Sequence, residues 1–185
     1  AFSMHYTPLP LNKVELKGAG TASDPYQLTC SNDFKLMDNN PSACYEVAND
    51  IDFLSIPFDG PKRAFTGKLD GKNYTLSNLC LMGSGLLKEV KDSAIIANLN
   101  LESPVLLLSD QHLDMATGVL ANSLQGGVDD AGVASYSLLS NVHVANPIIK
   151  GVGYKEIIGT IVGYVALNTD VNTCSVTNAD IVAPE

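Results

Sequence analysis

The sequence contains no apolar run long enough to cross a membrane, and its longest candidate, 157–167, is interrupted by glycines and Thr160. Positive charge is also scarce, with 11 Lys and Arg against 20 Asp and Glu and a formal net charge of −9. Because such a chain repels nucleic acid and anionic lipid, we expect no nucleic-acid partner and no membrane insertion. Basic ligands or calcium suit this charge better.

Helical periodicity is also scarce, and only 32–39 has a convincing helical spacing. Parallel strands that are joined through helices need a long helical segment after each strand. A sheet built through crossover helices is therefore not expected, and a parallel sheet without helices must wind directly from strand to strand.

The residue patterns of common catalytic and zinc sites are missing. Gly83-Ser84-Gly85 has no G-x-S-x-G frame and no neighbouring histidine, so we interpret it as a corner between strands. The three histidines, His5, His112 and His143, fall on unrelated segments and form no zinc-ligand cluster. His143 occupies an outward strand position and is interpreted as a solvated surface residue. We expect no enzyme activity, no metal and no cofactor.

Two pairs of neighbouring carboxylates merit attention, because clustered acids carry glycosidic-bond chemistry in some parallel β proteins. Asp50 and Asp52 end a predicted strand, where carboxylates accept hydrogen bonds from turn amides, so a structural role is expected. Asp129 and Asp130 lie in a Gly-rich segment that offers oxygen ligands to calcium. The D-x-[DN]-x-[DN]-G spacing of a calcium loop is absent there.

What the sequence does contain is a recurring phrase in which apolar and polar residues alternate. Its copies start 20, 43 and 32 residues apart and are Asn78-Leu79-Cys80-Leu81, Asn98-Leu99-Asn100-Leu101, Asn141-Val142-His143-Val144 and the slipped version Thr173-Cys174-Ser175-Val176. A period of two indicates a strand with one buried face. Repetition at such intervals is typical of solenoids, in which each unit must stack on the next to bury its apolar face.

A second phrase lies between these copies, and each of its copies begins at a glycine, Gly85, Gly118 or Gly159, that opens a short apolar run. The fixed alternation of the two phrases favours an all-β, parallel β-helix over the alternative of a β-sandwich. Asn78, Asn98 and Asn141 are expected to stack at one corner, unless they are simply common turn residues. The predicted inward stacks are Leu79, Leu99, Val142 and Cys174, and Leu81, Leu101, Val144 and Val176.

Four segments in fixed order resemble the repeat motifs of bacterial surface proteins with GLUG-type repeats. They are 18–28, 45–53, 65–79 and 159–164. The first resembles G-x-G-T-x-x-x-P-Y-x-[IL], the second an apolar strand ending in A-D-I-D-[LF], and the third F-x-G-x-[FL]-D-G-x-x-x-T-[IL]-x-x-L. The fourth, Gly159-Thr160-Ile161-Val162-Gly163-Tyr164, resembles the glycine-rich phrase itself. The agreement extends over 18–182.

This resemblance implies a right-handed parallel β-helix of the kind found in secreted adhesins, repetitive surface proteins and non-catalytic parts of secreted proteases. The expected division is 1–17 as an N-terminal extension or cap and 18–185 as the β-helix domain, itself a fragment of a longer protein. The chain departs from the family pattern in 85–90 and 118–123, where the second glycine is missing. The departure leaves the number of turns of the β-helix open.

The four cysteines allow one plausible bridge. Cys30 and Cys44 bracket a polar, turn-rich segment, and a disulfide between them would constrain the unfolded chain by roughly 3 kcal/mol. Cys174 shares an inward position with Leu99, whereas Cys80 faces outward, so these two are not expected to pair. A bridge together with an acidic surface predicts secretion or display at the cell surface.

The repeat is interrupted at 125–132, a Gly-rich stretch with the composition of an exposed loop. Insertions in solenoids lie on one face and often bind partners, so Gln125, Asp129 and Asp130 are the predicted ligand-binding residues. The predicted function is a non-catalytic adhesive or structural module that binds a protein or glycan. The alternatives are an accessory domain of a secreted enzyme and, less favoured, a carbohydrate-active β-helix enzyme.

Overall fold

The computed structural model describes residues 15–109, 116–151 and 157–182. Within these ranges the fold is all-β apart from a single-turn α-helix, α1 (Ser31–Lys35), and a 3-10 helix (Leu36–Asn39) that follows it directly. No helix in the described part of the chain is long and apolar enough to cross a membrane. The strands in chain order are β1 (Tyr26–Leu28), β2 (Cys44–Val47), β3 (Ile51–Asp52), β4 (Pro57–Phe58), β5 (Lys68–Asp70), β6 (Thr75–Ser77), β7 (Cys80–Met82), β8 (Leu87–Val90), β9 (Ile95–Glu102), β10 (Val105–Leu107), β11 (Ala116–Gly118), β12 (Ala121–Leu124), β13 (Gly127–Val128), β14 (Ala134–Ser135), β15 (Ser137–Ala145), β16 (Ile148–Lys150), β17 (Ile157–Gly159), β18 (Val162–Val165), β19 (Thr169–Asn172), β20 (Ser175–Thr177) and β21 (Asp180–Val182).

The largest sheet has nine strands and runs β1-β2-β5-β9-β15-β19, with β3, β6 and β20 paired alongside. A second sheet runs β4-β7-β10-β16-β21, a third β8-β12-β18, and β11 pairs with β17. All of these pairings are parallel. The hairpin of β13 and β14 is antiparallel. The all-β class and the parallel sheets predicted from the alternating phrases are therefore confirmed.

Neighbouring strands of a sheet come from successive passages of the chain. One passage is the stretch of chain that runs once through the largest sheet, the second sheet and the third sheet. In the largest sheet Leu69 pairs with Ile96, Ile96 with Leu139, and Leu139 with Val171. The connections between these strands contain no helix in the described ranges. Apolar residues that alternate along each strand thus form columns along the interior, which is where the core lies.

The predicted inward stacks are correct in part. Val142 pairs with Leu99, and Val144 pairs with both Leu101 and Val176, as expected. Leu79 and Leu81 do not belong to these columns. Leu81 pairs with Leu106 in the second sheet, and the column of Leu101 continues instead to Leu76.

This error has a physical cause, because each passage turns two corners that both require the left-handed backbone conformation. Asparagine tolerates that conformation better than other non-glycine residues. An asparagine followed by an inward leucine therefore arises at either corner, and Asn78 belongs to the second. The first corner contains Asn73, Asn98, Asn141 and Thr173, with φ of 64°, 57°, 53° and 52°. The second contains Asn78, Ser103, Asn146 and Asn178, with φ of 56°, 52°, 53° and 51°.

The glycines that open the second repeated phrase, Gly85, Gly118 and Gly159, occupy one column, as their order in the sequence predicted. Gly118 pairs with Gly159. The amide next to Gly85 donates to the carbonyl next to Gly118, from Leu86 N to Val119 O, at 2.9 Å. A Cβ on Gly85 would lie 2.2 Å from the carbonyl oxygen of Gly118. The close approach of successive passages therefore requires glycine at this corner.

The first passage is closed by α1 and the 3-10 helix. Phe34 and Met37 of these helices are buried in the core. The Asp33 carboxylate accepts hydrogen bonds from the backbone amide and the hydroxyl of Thr29, at 2.7 and 2.9 Å, which fixes the start of α1. The cap therefore includes residues within 31–39. The predicted cap or extension, 1–17, lies for the most part outside the described residues.

The last passage presents interior positions to solvent. Val144 is 1% exposed but its partner Val176 is 38% exposed, and Ile149 is 0% exposed against 50% for its partner Ile181. In the same way Leu139 is buried, whereas its partner Val171 is exposed. The described range 157–182 contains no Lys, Arg or Pro, which are the residues that usually protect an open strand edge.

All four cysteines are free thiols, so the prediction of a Cys30–Cys44 disulfide is wrong for this structure. The pairing of Tyr26 with Tyr45 places Cys44 beside the start of β1, whereas Cys30 follows the end of β1. Three residues of strand span about 10 Å, which exceeds the ~7 Å Cα separation that a disulfide bridges. Cys174 packs against the core as predicted.

Candidate recognition hairpin

The insertion at 125–132 is the first half of a β-hairpin, formed by β13 and β14, that projects between the third sheet and the largest sheet. Gln125 lies at its base. The backbone amide of Gln125 donates to Val90 O at 2.9 Å, and its carbonyl oxygen accepts a bond from the buried Ser137 hydroxyl at 2.7 Å. The backbone of Gln125 therefore anchors the hairpin to the preceding passage.

Asp129 organises the turn at the tip. Its carboxylate oxygen Oδ1 accepts hydrogen bonds from the amides of Ala131 and Val133, at 3.0 and 2.8 Å. The backbone amide of Asp129 donates to Val133 O at 3.0 Å. Because the carboxylate is used by the turn itself, its role is structural. Asp130 is exposed beside it.

Close backbone contacts fix the stem of the hairpin against the last passage. The amide of Gly126 donates to Leu167 O at 2.8 Å, and Asn168 Nδ2 donates to Gly127 O at 3.3 Å. A Cβ on Gly126 would lie 2.2 Å from Asn168 O. The sequence predicted an exposed loop with few residues that could pack. The structure instead has a hairpin that is hydrogen-bonded to the passages on both sides of it.

The hairpin carries exposed apolar side chains and borders an open groove. Val128, Val133 and Tyr136 are exposed on it, and Tyr164 and Leu167 are exposed on the facing strand and loop. The groove has a volume of about 600 Å³ and is lined by residues of 125–128 and 164–168. Exposed apolar residues that line a groove, here Val128, Tyr164 and Leu167, are typical of a binding surface. We call this surface, formed by 125–136 and 164–168, the hairpin groove.

Sequence reasoning found the hairpin but missed the apolar part of this surface. It selected Gln125, Asp129 and Asp130. Gln125 lies at the base of the hairpin, the Asp129 carboxylate is hydrogen-bonded within the turn, and Asp130 is exposed at the tip. The signal that was available is the spacing of Val128, Val133 and Tyr136, apolar residues in a segment that is otherwise rich in glycine and aspartate.

The outward face around His143 is a hydrogen-bonded surface and not a freely solvated one. His143 is half-buried, with Nδ1 2.6 Å from Ser175 Oγ and Nε2 2.7 Å from Asn141 Oδ1. Because an amide oxygen only accepts, Nε2 carries the proton in this arrangement and Nδ1 accepts from the serine hydroxyl in the neutral ring. His143 therefore extends the polar column of the first corner.

Asp50 and Asp52, the neighbouring carboxylates considered as a catalytic pair, accept hydrogen bonds from backbone amides instead. Asp52 Oδ1 accepts from Asn78 Nδ2 at 3.0 Å and from the Leu54 amide at 2.8 Å, and these bonds hold the pKa of Asp52 below its ordinary value. Asp50 Oδ1 accepts from the Thr75 amide at 2.9 Å. The structural interpretation of this pair is confirmed. Within the described ranges no three His, Cys, Asp or Glu residues come together as a metal site.

A second cavity, of about 350 Å³, lies beside the N-terminal helices and was not expected from the sequence. Tyr26 and Tyr45 line it, with ring centroids 5.5 Å apart. The Tyr45 hydroxyl donates to Asn40 O at 2.6 Å, and burial raises the pKa of Tyr45 to about 12. Glu15 also borders this cavity.

Comparison with known proteins finds a partial similarity. No protein-family profile matches the chain, and no solved structure matches it. A segment of halomucin from Haloquadratum walsbyi (strain DSM 16790 / HBSQ001) is 33% identical over 110 residues, which cover 51% of this chain. The matched segment is 1% of the length of halomucin. The chain is thus similar to a small part of a far longer protein.

Proposed function

We propose that the chain is part of a right-handed parallel β-helix that serves as a non-catalytic adhesive or structural module of a secreted surface protein. Parallel sheets whose neighbouring strands come from successive passages, with no helix in the described connections after β2, are the arrangement that such a fold requires. The GLUG-like phrases of the sequence fit the same fold.

The ligand is taken up at the hairpin groove, and one observation carries this proposal. A hairpin that is anchored by Gln125 and Gly126 holds Val128 in solvent on a groove that Leu167 also lines. Exposed apolar residues on a rigid stem lose little conformational entropy on binding, which favours recognition. Asp130 at the tip and the net charge of −9 favour a ligand with basic groups or a glycan with donor hydroxyls.

An extracellular setting is supported by the similarity to a segment of halomucin, a protein whose name denotes a mucin. The acidic composition fits the same setting. The absence of a bridge between Cys30 and Cys44 removes the disulfide from this argument.

An accessory domain of a secreted enzyme is the second candidate, because the hairpin groove would serve equally to dock a catalytic partner. A carbohydrate-active enzyme is less well supported. The neighbouring carboxylates of Asp50 and Asp52 are occupied by backbone amides and by Asn78, which leaves no free acid and base pair there.

Replacement of the hairpin tip tests the proposal. In the test variant, 128–134 is replaced by Asn-Gly, which joins the paired residues Gly127 and Ser135 through a tight turn and keeps the anchors at Gln125 and Ser137. We expect an unchanged melting temperature and loss of the binding that the parent has on a printed glycan array and a panel of immobilised basic proteins. Met82→Ser, on an exposed apolar residue of the second sheet, is the matched control and should bind like the parent. Equal binding by the shortened variant would remove the hairpin groove from the account.

A further inference from the structure

The turn between β5 and β6 carries an exposed asparagine, Asn73, which is followed by Tyr74 and Thr75. Asn-x-Ser/Thr, where x is not proline, is the acceptor sequence of N-linked glycosylation. We propose that Asn73 is a site of N-linked glycosylation. The biological occurrence of this modification rests on the proposed export of the chain, whereas the competence of the site does not.

Three of the four polar atoms of Asn73 are already used. Its backbone amide donates to Asn98 O at 2.8 Å, and its carbonyl oxygen accepts from Asn100 Nδ2 at 3.0 Å. Its side-chain oxygen Oδ1 accepts from Asn141 Nδ2 at 3.2 Å. No described residue accepts a hydrogen bond from Nδ2, which is the atom that N-linked glycosylation substitutes. The bonds fix the side chain so that the amide nitrogen faces solvent.

The other asparagines of the same corner differ in each of these respects. Asn98 and Asn141 are half-buried. Asn98 Nδ2 donates to Asp70 Oδ1 at 3.1 Å, and Asn141 Nδ2 donates to Asn98 Oδ1 at 2.9 Å. Neither is followed by Ser or Thr at the second position. The acceptor sequence and the accessible amide nitrogen therefore coincide at one residue of the column.

The remaining two residues of the acceptor sequence lie on the outer surface. Tyr74 is 38% exposed. Thr75 is half-buried on the outward side of β6, because its neighbour Leu76 points into the core. The alternation along β6 places the Thr75 side chain on the outer face, and its backbone amide donates to Asp50 Oδ1 at 2.9 Å. An enzyme that must contact both Asn73 and Thr75 thus finds them on the same outer face.

The reaction needs a lipid-linked oligosaccharide pyrophosphate as the donor. The bond between the anomeric carbon and Nδ2 of Asn73 forms, and the bond between that carbon and the pyrophosphate oxygen breaks. Nδ2 loses one proton to a base of the transferase, and the lipid pyrophosphate leaves. The product amide keeps Oδ1, so the hydrogen bond from Asn141 persists and the glycan adds no steric conflict inside the fold.

The test uses the purified, folded chain with an oligosaccharyltransferase and its lipid-linked donor, and a short acceptor peptide as the positive control for enzyme activity. Intact mass and glycopeptide mapping should find one glycan, on Asn73. Thr75→Ala should abolish it, and the conservative Thr75→Ser should retain it. Asn100→Thr places the same acceptor sequence at Asn98 and is the matched control. We expect Asn98 to stay unmodified, because its Nδ2 is half-buried and bonded to Asp70.

The proposal is overturned if Asn73 stays unmodified while the control peptide reacts, or if Thr75→Ala is modified like the parent. Modification of Asn98 in the Asn100→Thr variant at the rate seen for Asn73 would contradict the role assigned to the accessible Nδ2. The glycosylated and unmodified proteins should melt within about 2 °C of each other, since no structural bond is lost. The reaction does not involve the hairpin groove, so its failure leaves the ligand-binding proposal untouched, and failure of ligand binding leaves this one untouched.

Discussion

Asn141 donates a hydrogen bond from its side-chain nitrogen to the side-chain oxygen of Asn98 at 2.9 Å, across 43 residues of sequence. Both residues have a left-handed backbone, with φ of 53° and 57°. Asparagine thus meets two requirements of this corner. It tolerates the left-handed backbone conformation, and its side-chain amide forms a hydrogen bond to the next passage. The stacking of asparagines that the repeat predicted is real for this pair.

Substitution of Asn141 should separate those two contributions. Asn141→Gly keeps the left-handed conformation and loses the amide bonds, so we expect a loss of about 1 kcal/mol in the free energy of unfolding. Asn141→Ala also incurs the cost of a left-handed alanine and should lose about 2 to 3 kcal/mol. Denaturant unfolding measures both. Equal stability of the two variants would mean that the backbone conformation is not what selects asparagine here.

Leu101 tests the placement of the core. Leu101 is 1% exposed in the column with Val144, so Leu101→Ala should lower the free energy of unfolding by about 2 to 5 kcal/mol. Leu167, which is 84% exposed, is the matched control, and Leu167→Ala should change the stability by less than about 0.5 kcal/mol. A Leu101→Ala protein that unfolds like the parent would contradict the register.

Tyr45 should make the fold less stable at alkaline pH. Burial raises its pKa from 10.0 to about 12, so the stability from the buried neutral phenol is fully present below pH 10 and is lost as the pH rises through about 12. In an ultraviolet titration Tyr45 should ionise late, and Tyr45→Phe should remove that late step. The rings of Tyr26 and Phe65 still pack against the phenylalanine. A titration curve that Tyr45→Phe changes only near pH 10 would count against the buried environment.

The cysteines allow a direct chemical count. All four are free thiols in the structure, so thiol titration under denaturing, non-reducing conditions should find four per chain. Cys174 should react more slowly than Cys30 in the native protein, because Cys174 packs against the core and Cys30 is exposed. A count of two, with a peptide that links Cys30 to Cys44, would restore the bridge that the sequence suggested.

Sequence pattern predicts much of this fold, because the alternation in 98–101 and 141–144 reflects a real parallel pairing of β9 with β15. It misplaces Asn78, and it misses Asn73. The segment 71–74 has two more residues than its counterpart 98–99, so the register shifts by two within one passage. Only the long-range hydrogen bond between Asn73 N and Asn98 O fixes that shift, and local pattern does not contain it.

The insertion at 125–132 is predicted from the sequence, but its hairpin form and the groove beside it are not. An interruption of the repeat marks 125–132 as an insertion, which is a property of the sequence. The groove depends on where Val128 lies relative to Leu167, and these residues meet through contacts between different passages. The disulfide prediction failed for the same reason, since the pairing of β1 with β2 decides the distance between Cys30 and Cys44.

The stacking of passages is the central claim, and distances between spin labels along one outward column test it most directly. Gln27, Glu46, Asp70, Ala97, Ser140 and Asn172 occupy this column on six successive strands. Nitroxide pairs are placed in a cysteine-free background at Gln27 with Ala97, Ser140 or Asn172, and double electron–electron resonance measures their separation. At about 4.8 Å per strand, stacked passages give backbone separations of roughly 14, 19 and 24 Å. Equal steps despite unequal sequence gaps are the expected result, and distances that do not increase by one strand spacing per passage would contradict the account.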